Sequence, residues 1–270
     1  FALSDYRVIK TGIKHGTITV ISDGKKIEIT SMRRDGDYKD HRHPEHVLFT
    51  SSLLDDLSRR DFTINAMAYS EKDGLIDCHG GHKDLGLKII RCVGSPDKRF
   101  NEDALRIMRA LRLAAELSFE IEDETAQSIL RNKHLLSLVA KERLSDEFCR
   151  LICADGSYDI LHKFNGVIEV FMPGFRAPHA GFVSLAHEPS VRLAALVCCM
   201  TKPASFRADK PAHGKIRFNA DTHDCKLMSG ADMLEYLRLP KKTFKRALLI
   251  SYYCTKQFSS NFCAKIMPIY

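Results

Sequence analysis

The sequence predicts an α+β protein: a nucleotidyltransferase-like head with an incomplete mixed sheet (residues 1–93), then a helical neck (94–150) and a helical body (151–270). Short β-branched runs bounded by turn residues crowd the first ninety residues. From Asn101 onward the apolar residues recur with helical spacing instead. The composition, 44% hydrophobic and 28% charged, is typical of a globular chain with a buried core.

Two β-branched runs, Thr17–Ile21 and Lys26–Ser31, predict the first hairpin. They flank Asp23-Gly24, a pair that readily adopts the positive φ angles of a tight hairpin turn. In the second run isoleucines alternate with polar residues, so one face of that strand is predicted to be apolar.

A polar stretch and two further strands complete the head. Arg33–His46 is rich in charged residues and histidines and has little apolar content, which predicts a mobile loop. Leu75–Cys78 and Ile89–Val93 are short apolar runs on either side of a glycine pair, and each predicts a strand.

The helical part begins at Asn101, which is predicted to cap a helix over Asn101–Leu117. Further apolar stripes with helical spacing predict helices near Asp123–Asn132, Lys141–Ala154, Ser157–Phe164 and Ser229–Tyr253, the last with a break at Pro240.

Charge and cysteine content narrow the functional classes. The net charge of +7 favours a polyanionic partner. Part of that charge lies in Lys202–Phe218, a basic stretch that either contacts phosphates or is only solvated. The nine cysteines are odd in number and form no CxxC pair, which favours free buried thiols over disulfides or a metal site. We find neither a signal peptide nor an apolar run long enough for a membrane span, so a cytoplasmic or organellar location is expected.

The strongest chemical signal is the pair Asp103 and Arg106. On a helix, residues three apart share a face, so the pair would offer one acceptor edge and one donor edge. Cytosine and adenine each present an amino donor beside a ring-nitrogen acceptor, whereas uracil and guanine present a carbonyl in place of the amino group. The pair would therefore select C or A, with about 1–3 kcal/mol for each bidentate contact. The alternative is an acid that favours the helix N-terminus and a solvated arginine stripe.

A second charged segment, Arg59-Arg60-Asp61, has two interpretations as well. Two arginines next to a structured turn suit a triphosphate or a ribose, but they also suit a charged helix end. Asn65 lies in an otherwise apolar segment, where a polar side chain usually satisfies a backbone or ligand group.

Taken together, these segments resemble the class II CCA-adding enzymes and the related bacterial poly(A) polymerases. The resemblance covers roughly residues 9–150, and it is carried by motifs in a fixed order: TGIKHGTITV, DGDYKDHRHPEHV, RRDFTINAMA, GG-x-x-DL, IRCVG-x-P-x-x-RF, EDALRIMRALR and VAKERLSDEF.

The resemblance implies a nucleotidyltransferase that adds C and A to the 3′ end of tRNA from CTP and ATP, with Mg²⁺ and without a nucleic-acid template. Asp103 and Arg106 would read the base. The full set of nucleotide-binding residues that it implies is Arg60, Asp61, Asp103, Arg106, Arg109 and Arg112. The metal-binding Asp-x-Asp of the family is expected upstream of Phe1, so neither catalytic nor metal-ligating residues are expected within this chain, which should be inactive alone.

Three alternatives remain open. A poly(A) polymerase tends to have Pro-Val where this chain has Ala104-Leu105, and a CC-adding enzyme should lack the loop over Arg33–Val47. The third alternative is a non-catalytic RNA-binding remnant. A metal phosphohydrolase is disfavoured, because His187 and the other histidines follow no metal-ligand spacing.

Overall fold

The computed structural model describes residues 6–13, 16–36, 46–200 and 237–257. The strands are β1 (Arg7–Gly12), β2 (Thr17–Ser22), β3 (Lys25–Thr30), β4 (Arg33–Asp35), β5 (Val47–Phe49), β6 (Met67–Ser70), β7 (Gly74–Asp77), β8 (Ile89–Ile90) and β9 (Glu120–Ile121). The helices are α1 (Leu53–Ser58), α2 (Gly81–Leu87), α3 (Pro96–Glu102), α4 (Leu105–Leu117), α5 (Asp123–Asn132), α6 (Lys141–Ile152), α7 (Ser157–Lys163), α8 (Asn165–Phe171), α9 (Pro189–Met200) and α10 (Lys241–Gln257). Short 3-10 helices lie at Thr63–Asn65, Lys133–Leu138 and Ala180–Ser184. Eight of the nine strands in the described ranges lie before residue 93, and eight of the ten helices lie after it, which confirms the α+β class.

The first sheet is an antiparallel meander of β1, β2 and β3. Its predicted hairpin is confirmed: Asp23 (φ 48°) and Gly24 (φ 73°) both adopt positive φ between β2 and β3. The predicted apolar face of β3 lies open in this structure, since Ile27 and Ile29 are 49% and 43% exposed.

The predicted loop over Arg33–His46 needs correction at both ends. Its first residues form β4, which pairs antiparallel with β5, and the Gly36 amide donates to the His46 carbonyl at 2.9 Å. The strand was missed because ion pairs, such as Arg33 with Asp35 at 3.1 Å, hold its side chains in place of apolar contacts. Residues 37–45, the centre of the predicted loop, lie outside the described residues.

Strand β6 and helix α2 were not predicted from the sequence. Strand β6 pairs antiparallel with β7, whose prediction is confirmed. Helix α2 follows Gly80 (φ 76°), and its first turn is capped by Asp77, whose carboxylate accepts from the amides of Gly81 (2.8 Å) and His82 (2.9 Å). The weak burial of Asp77 acts to raise its pKa, but these hydrogen bonds outweigh the burial and hold the pKa below the ordinary value for an aspartate.

The predicted helix over Asn101–Leu117 is wrong in its first part. Asn101 belongs to α3 and is no N-cap, and the chain leaves helical geometry at Asp103 (φ −141°, ψ 103°) before α4 begins. Helix α3 starts at Pro96, a residue suited to a first helical turn. The break occurs where the Asp103 carboxylate accepts from the amide of Leu105 at 3.1 Å, a local bond that competes with helix formation.

Helix α4 lies at the centre of the core. Its Ile107, Met108 and Leu111 are fully buried in one apolar cluster that extends from Phe62 to Ala247. The predicted helices after α4 are confirmed, within two residues at their ends, as α5, α6 and α7. The predicted domain boundaries at residues 93 and 150 stay predictions.

The C-terminal predictions can be compared only in part. The chain turns helical again directly after Pro240, as predicted, with α10. The start of the predicted helix at Ser229 and the basic stretch Lys202–Phe218 lie outside the described residues. None of the helices in the described ranges is long and apolar enough to cross a membrane.

The described cysteines are free thiols, as predicted: Cys78, Cys92, Cys149, Cys153 and Cys198. Their predicted burial is confirmed for Cys92 and is wrong for Cys78, which is exposed. Burial raises the pKa of the Cys92 thiol to about 12. A thiol in this state is protonated at neutral pH and packs as a small apolar side chain.

Candidate functional site

A cavity of about 860 Å³ opens between the end of α1 and the start of α4. Five arginines and four aspartates dominate its lining. The lining residues are Thr30, Met32, Arg33, Asp35, Leu53, Asp56, Arg59, Arg60, Asp61, Asn65, Asp103, Arg106 and Arg109. Every predicted nucleotide-binding residue except Arg112 therefore lines one cavity.

On the head side of the cavity, Asp56 organises the arginines. Its buried carboxylate on α1 accepts from Arg59 at 2.7 Å, from Arg60 at 3.3 Å and from the backbone amide of Arg33 at 3.2 Å. Burial acts to raise the pKa of the Asp56 carboxyl, but hydrogen bonds led by that from Arg59 hold it below 3.8. The carboxylate thus stays charged and fixes two guanidinium groups at the cavity wall.

Asp61 connects the head wall of the cavity (Arg59–Asp61) to the neck wall (Asp103, Arg106 and Arg109). One carboxylate oxygen accepts from the amide of Phe62 at 2.9 Å, and the other accepts from Arg109 of α4 at 2.7 Å. The neighbouring Arg60 donates to the carbonyl of Asn65 at 3.0 Å, and its side chain remains 42% exposed. Of these two residues, Arg60 has the side chain that a ligand can reach more readily.

On the neck side, the structure corrects the geometry predicted for Asp103 and Arg106. Because Asp103 lies in the break before α4, the two residues do not share a helix face. Arg106 donates to Glu102 at 2.7 Å and to the carbonyl of Arg59 at 2.9 Å. Asp103 pairs with Arg143 of α6 at 3.1 Å. Both residues still line the cavity, so both are accessible to a base bound there.

The structure does not bring Arg112 to the cavity. Its side chain is buried against α6, where it pairs with Glu147 at 2.5 Å, and it also pairs with Glu116 one turn further along α4. Arg112, which the resemblance assigned to the nucleotide, therefore pairs with two carboxylates of the protein itself. Its position fits helix packing rather than ligand binding.

Three charged cavity residues, Asp56, Arg33 and Asp35, were not predicted from the sequence. A signal for Asp56 existed, because it precedes Arg59 and Arg60 by three and four residues, the spacing of ion pairs on one helix face. Arg33 and Asp35 fell inside the predicted loop, and only their pairing in β4 and β5 brings them to the site.

A metal site is not formed by the part of the chain that the structure describes. Within those ranges no group of three or more His, Cys, Asp or Glu lies close enough together to hold a metal ion. The four aspartates that line the cavity are each engaged by arginines or backbone amides, for example Asp61 by Arg109. With these bonds made, the four aspartates position the arginines and do not converge on a common point as magnesium ligands would.

The fold and this cavity define a class of protein: a small-sheet head followed by a helical neck, with a charged pocket at their junction. Residues 2–91 match a family model described as the poly A polymerase head domain. Residues 118–177 match a second one, described as a probable RNA and SrmB-binding site of polymerase A. Together the two matches cover more than half of the chain.

Two relatives at the sequence level are both CCA-adding enzymes. The chain is 46% identical over 172 residues to the CCA-adding enzyme of Lactobacillus johnsonii, an alignment that covers 63% of this chain and 43% of that protein. It is 49% identical over 146 residues to the CCA-adding enzyme of Anoxybacillus flavithermus, covering 54% of this chain and 37% of that protein. The chain thus spans less than half the length of the curated relatives that it matches.

A solved structure supports the same relationship. The CCA-adding enzyme of Bacillus stearothermophilus, crystallised in complex with CTP, aligns with a TM-score of 0.67 at 28% identity, covering 92% of this chain and 56% of that chain. The chain belongs to the family of class II tRNA nucleotidyltransferases and bacterial poly(A) polymerases.

Proposed function

We propose that the protein to which this chain belongs adds C and A nucleotides to the 3′ end of tRNA from CTP and ATP, without a nucleic-acid template. The observation that carries the proposal is the cavity, where Arg60 and Asp61 of the head face Asp103, Arg106 and Arg109 of the neck. Two relatives that are 46% and 49% identical are CCA-adding enzymes, which supports the same activity.

In this proposal the two walls have separate tasks. The head wall holds the sugar and phosphates, because Arg60 presents an accessible guanidinium and Arg59 is fixed beside it by Asp56. The neck wall reads the base, because Asp103 supplies acceptor oxygens, Arg106 supplies donors, and both residues line the cavity.

Reading a base requires a small rearrangement on the neck wall. In this structure Asp103 is paired with Arg143, and Arg106 is bonded to Glu102 and to the Arg59 carbonyl. Both side chains are partly accessible: 20% of Asp103 and 11% of Arg106. A cytosine or adenine amino group would compete for Asp103 with Arg143, whereas the carbonyl of uracil would be repelled by the carboxylate.

Mg²⁺ is part of the proposal only because the family is expected to use it. The ion would supply charge neutralisation and activation of the tRNA 3′ hydroxyl. The cavity residues bind and orient the nucleotide, and none of them is assigned to the metal. Since the substrates are tRNA and free nucleotides, we propose a cytoplasmic location, with an organelle as the alternative.

The test is to incubate the complete protein with a tRNA that ends before CCA, together with labelled CTP and ATP, and to resolve the products by length. The proposal expects addition of C, C and A, followed by a stop. Products that stop at CC would identify a CC-adding enzyme. Binding of tRNA without incorporation would identify an RNA-binding protein and contradict the proposal.

A second candidate, a poly(A) polymerase, is favoured by one observation: the head model that matches residues 2–91 is described as that of poly A polymerase. The same assay separates the two, since a poly(A) polymerase would extend the RNA with a tract of A and would not need CTP.

A further inference from the structure

Arg99 lies outside the cavity but joins its two walls. It belongs to α3 of the neck, and its side chain is only 10% exposed. One end of the guanidinium donates to the carbonyl of Ser58 in the head at 3.0 Å, and the other pairs with Glu102 in the neck at 2.6 Å. The Arg99 carbonyl in turn accepts from Arg106 at 3.1 Å.

The head partner of Arg99 is the end of α1. The last carbonyls of a helix have no partner within that helix and carry partial negative charge, so they attract cations. Arg99 takes the carbonyl of Ser58, and Arg106 takes that of Arg59 at 2.9 Å. Two neck guanidinium groups therefore bind the backbone directly before Arg60 and Asp61.

We propose that Arg99 is a positioning residue: it sets the spacing between the head wall (Arg59–Asp61) and the neck wall (Asp103, Arg106 and Arg109), and so determines how well the cavity discriminates among nucleotides. The discrimination rests on the proposed function, whereas the spacing role does not. Arg99 itself would touch no nucleotide, because it does not line the cavity.

Burial makes Arg99 a firmer tether than the direct ion pair between the walls. That pair joins Asp61 to Arg109, whose side chain is 39% exposed and whose attraction is therefore weakened by solvent. Arg99 makes its bonds in a nearly dry environment, where a planar guanidinium fork fixes the positions of both of its partners. A lysine ammonium has no such fork and would be unable to hold both partners in the same geometry.

The test compares Arg99→Lys and Arg99→Met with wild type in the complete protein. Arg99→Lys keeps the charge near Glu102 and is the variant expected to stay folded if Arg99→Met unfolds. The matched control is Arg131→Met. Arg131 lies on α5 and forms an exposed ion pair with Asp97, which is on the same helix as Arg99, so the variant removes an ion pair of α3 that does not involve the cavity walls. Thermal unfolding establishes first that each variant is folded.

The first readout needs no nucleotide. Hydrogen exchange of backbone amides over residues 58–65 should accelerate in Arg99→Lys, while amides of α8 in the body keep their wild-type rates. Unchanged exchange over 58–65, or an equal acceleration throughout the chain, would overturn the positioning role whatever the protein catalyses.

The second readout is the ratio of CTP to UTP incorporation. We expect this ratio to fall roughly 2- to 30-fold in Arg99→Lys and to stay unchanged in Arg131→Met. If wild type prefers CTP over UTP and Arg99→Lys shows the same preference, the proposed effect of Arg99 on selectivity is overturned. A wild-type protein that does not discriminate would overturn the proposed function, and hydrogen exchange would then decide the spacing role alone.

Discussion

Replacing Asp103 by Asn separates base reading from helix capping. The carboxylate has two uses in the structure: one oxygen accepts from the Leu105 amide at 3.1 Å, and the other pairs with Arg143 at 3.1 Å. Asn keeps an acceptor for the cap but loses the negative charge and places an amino group where an acceptor was. The variant therefore keeps the start of α4 and alters the edge that faces the base.

The magnitudes of the two effects differ. Loss of a side-chain cap costs about 0.5–2 kcal/mol, so Asp103→Ala should lower the free energy of unfolding by that amount and Asp103→Asn by less. Loss of one bidentate base contact, about 1–3 kcal/mol, corresponds to a decrease in CTP over UTP preference of roughly 5- to 150-fold in both variants.

The assay is competition between CTP and UTP in the complete protein, with urea unfolding measured in parallel. The matched control is Glu122→Gln: Glu122 caps α5 through the Thr125 amide at 2.8 Å and does not line the cavity. That variant should keep the nucleotide preference of wild type. If Asp103→Asn slows CTP and UTP incorporation equally, Asp103 is only a cap and the base-reading role is refuted.

Three further predictions concern stability. Gly81→Ala should destabilise the protein by about 1–3 kcal/mol or more, because the added Cβ would lie 2.1 Å from the Thr63 carbonyl oxygen. The control is Gly86→Ala, whose added Cβ meets nothing within 4 Å, and equal urea midpoints for the two variants would contradict this prediction. Asp56→Asn should have a lower free energy of unfolding than wild type at neutral pH. Since the folded-state pKa of Asp56 is depressed, this difference in free energy should narrow as pH falls below 3.8, the ordinary pKa of an aspartate. A difference that does not change with pH would contradict the ion pairing. Arg112→Met should lower the free energy of unfolding by about 3–5 kcal/mol by leaving the buried Glu147 carboxylate unpaired, with the CTP to UTP ratio unchanged. A change confined to that ratio would return Arg112 to the nucleotide site.

Local chemistry explains which parts of the fold could be predicted. The hairpin at Asp23-Gly24 depends only on two residues that adopt positive φ, and it is present. The break at Asp103 depends on a side chain that competes for one backbone amide, and periodicity alone does not show such competition, because the apolar stripe of α4 continues without a change. Strand β4 depends on partners from β5, which are distant in sequence.

The arginines of α4 show the same limit within the site. Arg106, Arg109 and Arg112 look equivalent in sequence, each three residues from the next. At 3.6 residues per turn a step of three falls short of a full turn, so Arg112 points about 120° away from Arg106. Arg106 and Arg109 therefore reach the cavity, while Arg112 reaches Glu147 on α6. Which end of the row faces a ligand depends on packing against α6, and the sequence does not reveal it.

The charge balance of the cavity leads to a last prediction, on how the 270-residue chain binds nucleotides. Its five arginines are nearly matched by four aspartates, and Asp56 and Asp61 already engage Arg59, Arg60 and Arg109. A triphosphate would have to compete with these fixed carboxylates, so the arginines position a nucleotide more than they neutralise it.

Because the net positive charge of the lining is small, the added phosphates of CTP should gain little affinity over CMP when no divalent ion is present. The measurement is equilibrium binding of CTP and of CMP to the 270-residue chain in a chelator, with Asp61→Asn as the comparison. That variant frees Arg109 from its carboxylate partner and should strengthen CTP binding more than CMP binding. CTP binding that is already more than about tenfold tighter than CMP binding in the unaltered chain would show that its arginines are free to neutralise phosphate, and the balance inferred from their ion pairs would be wrong.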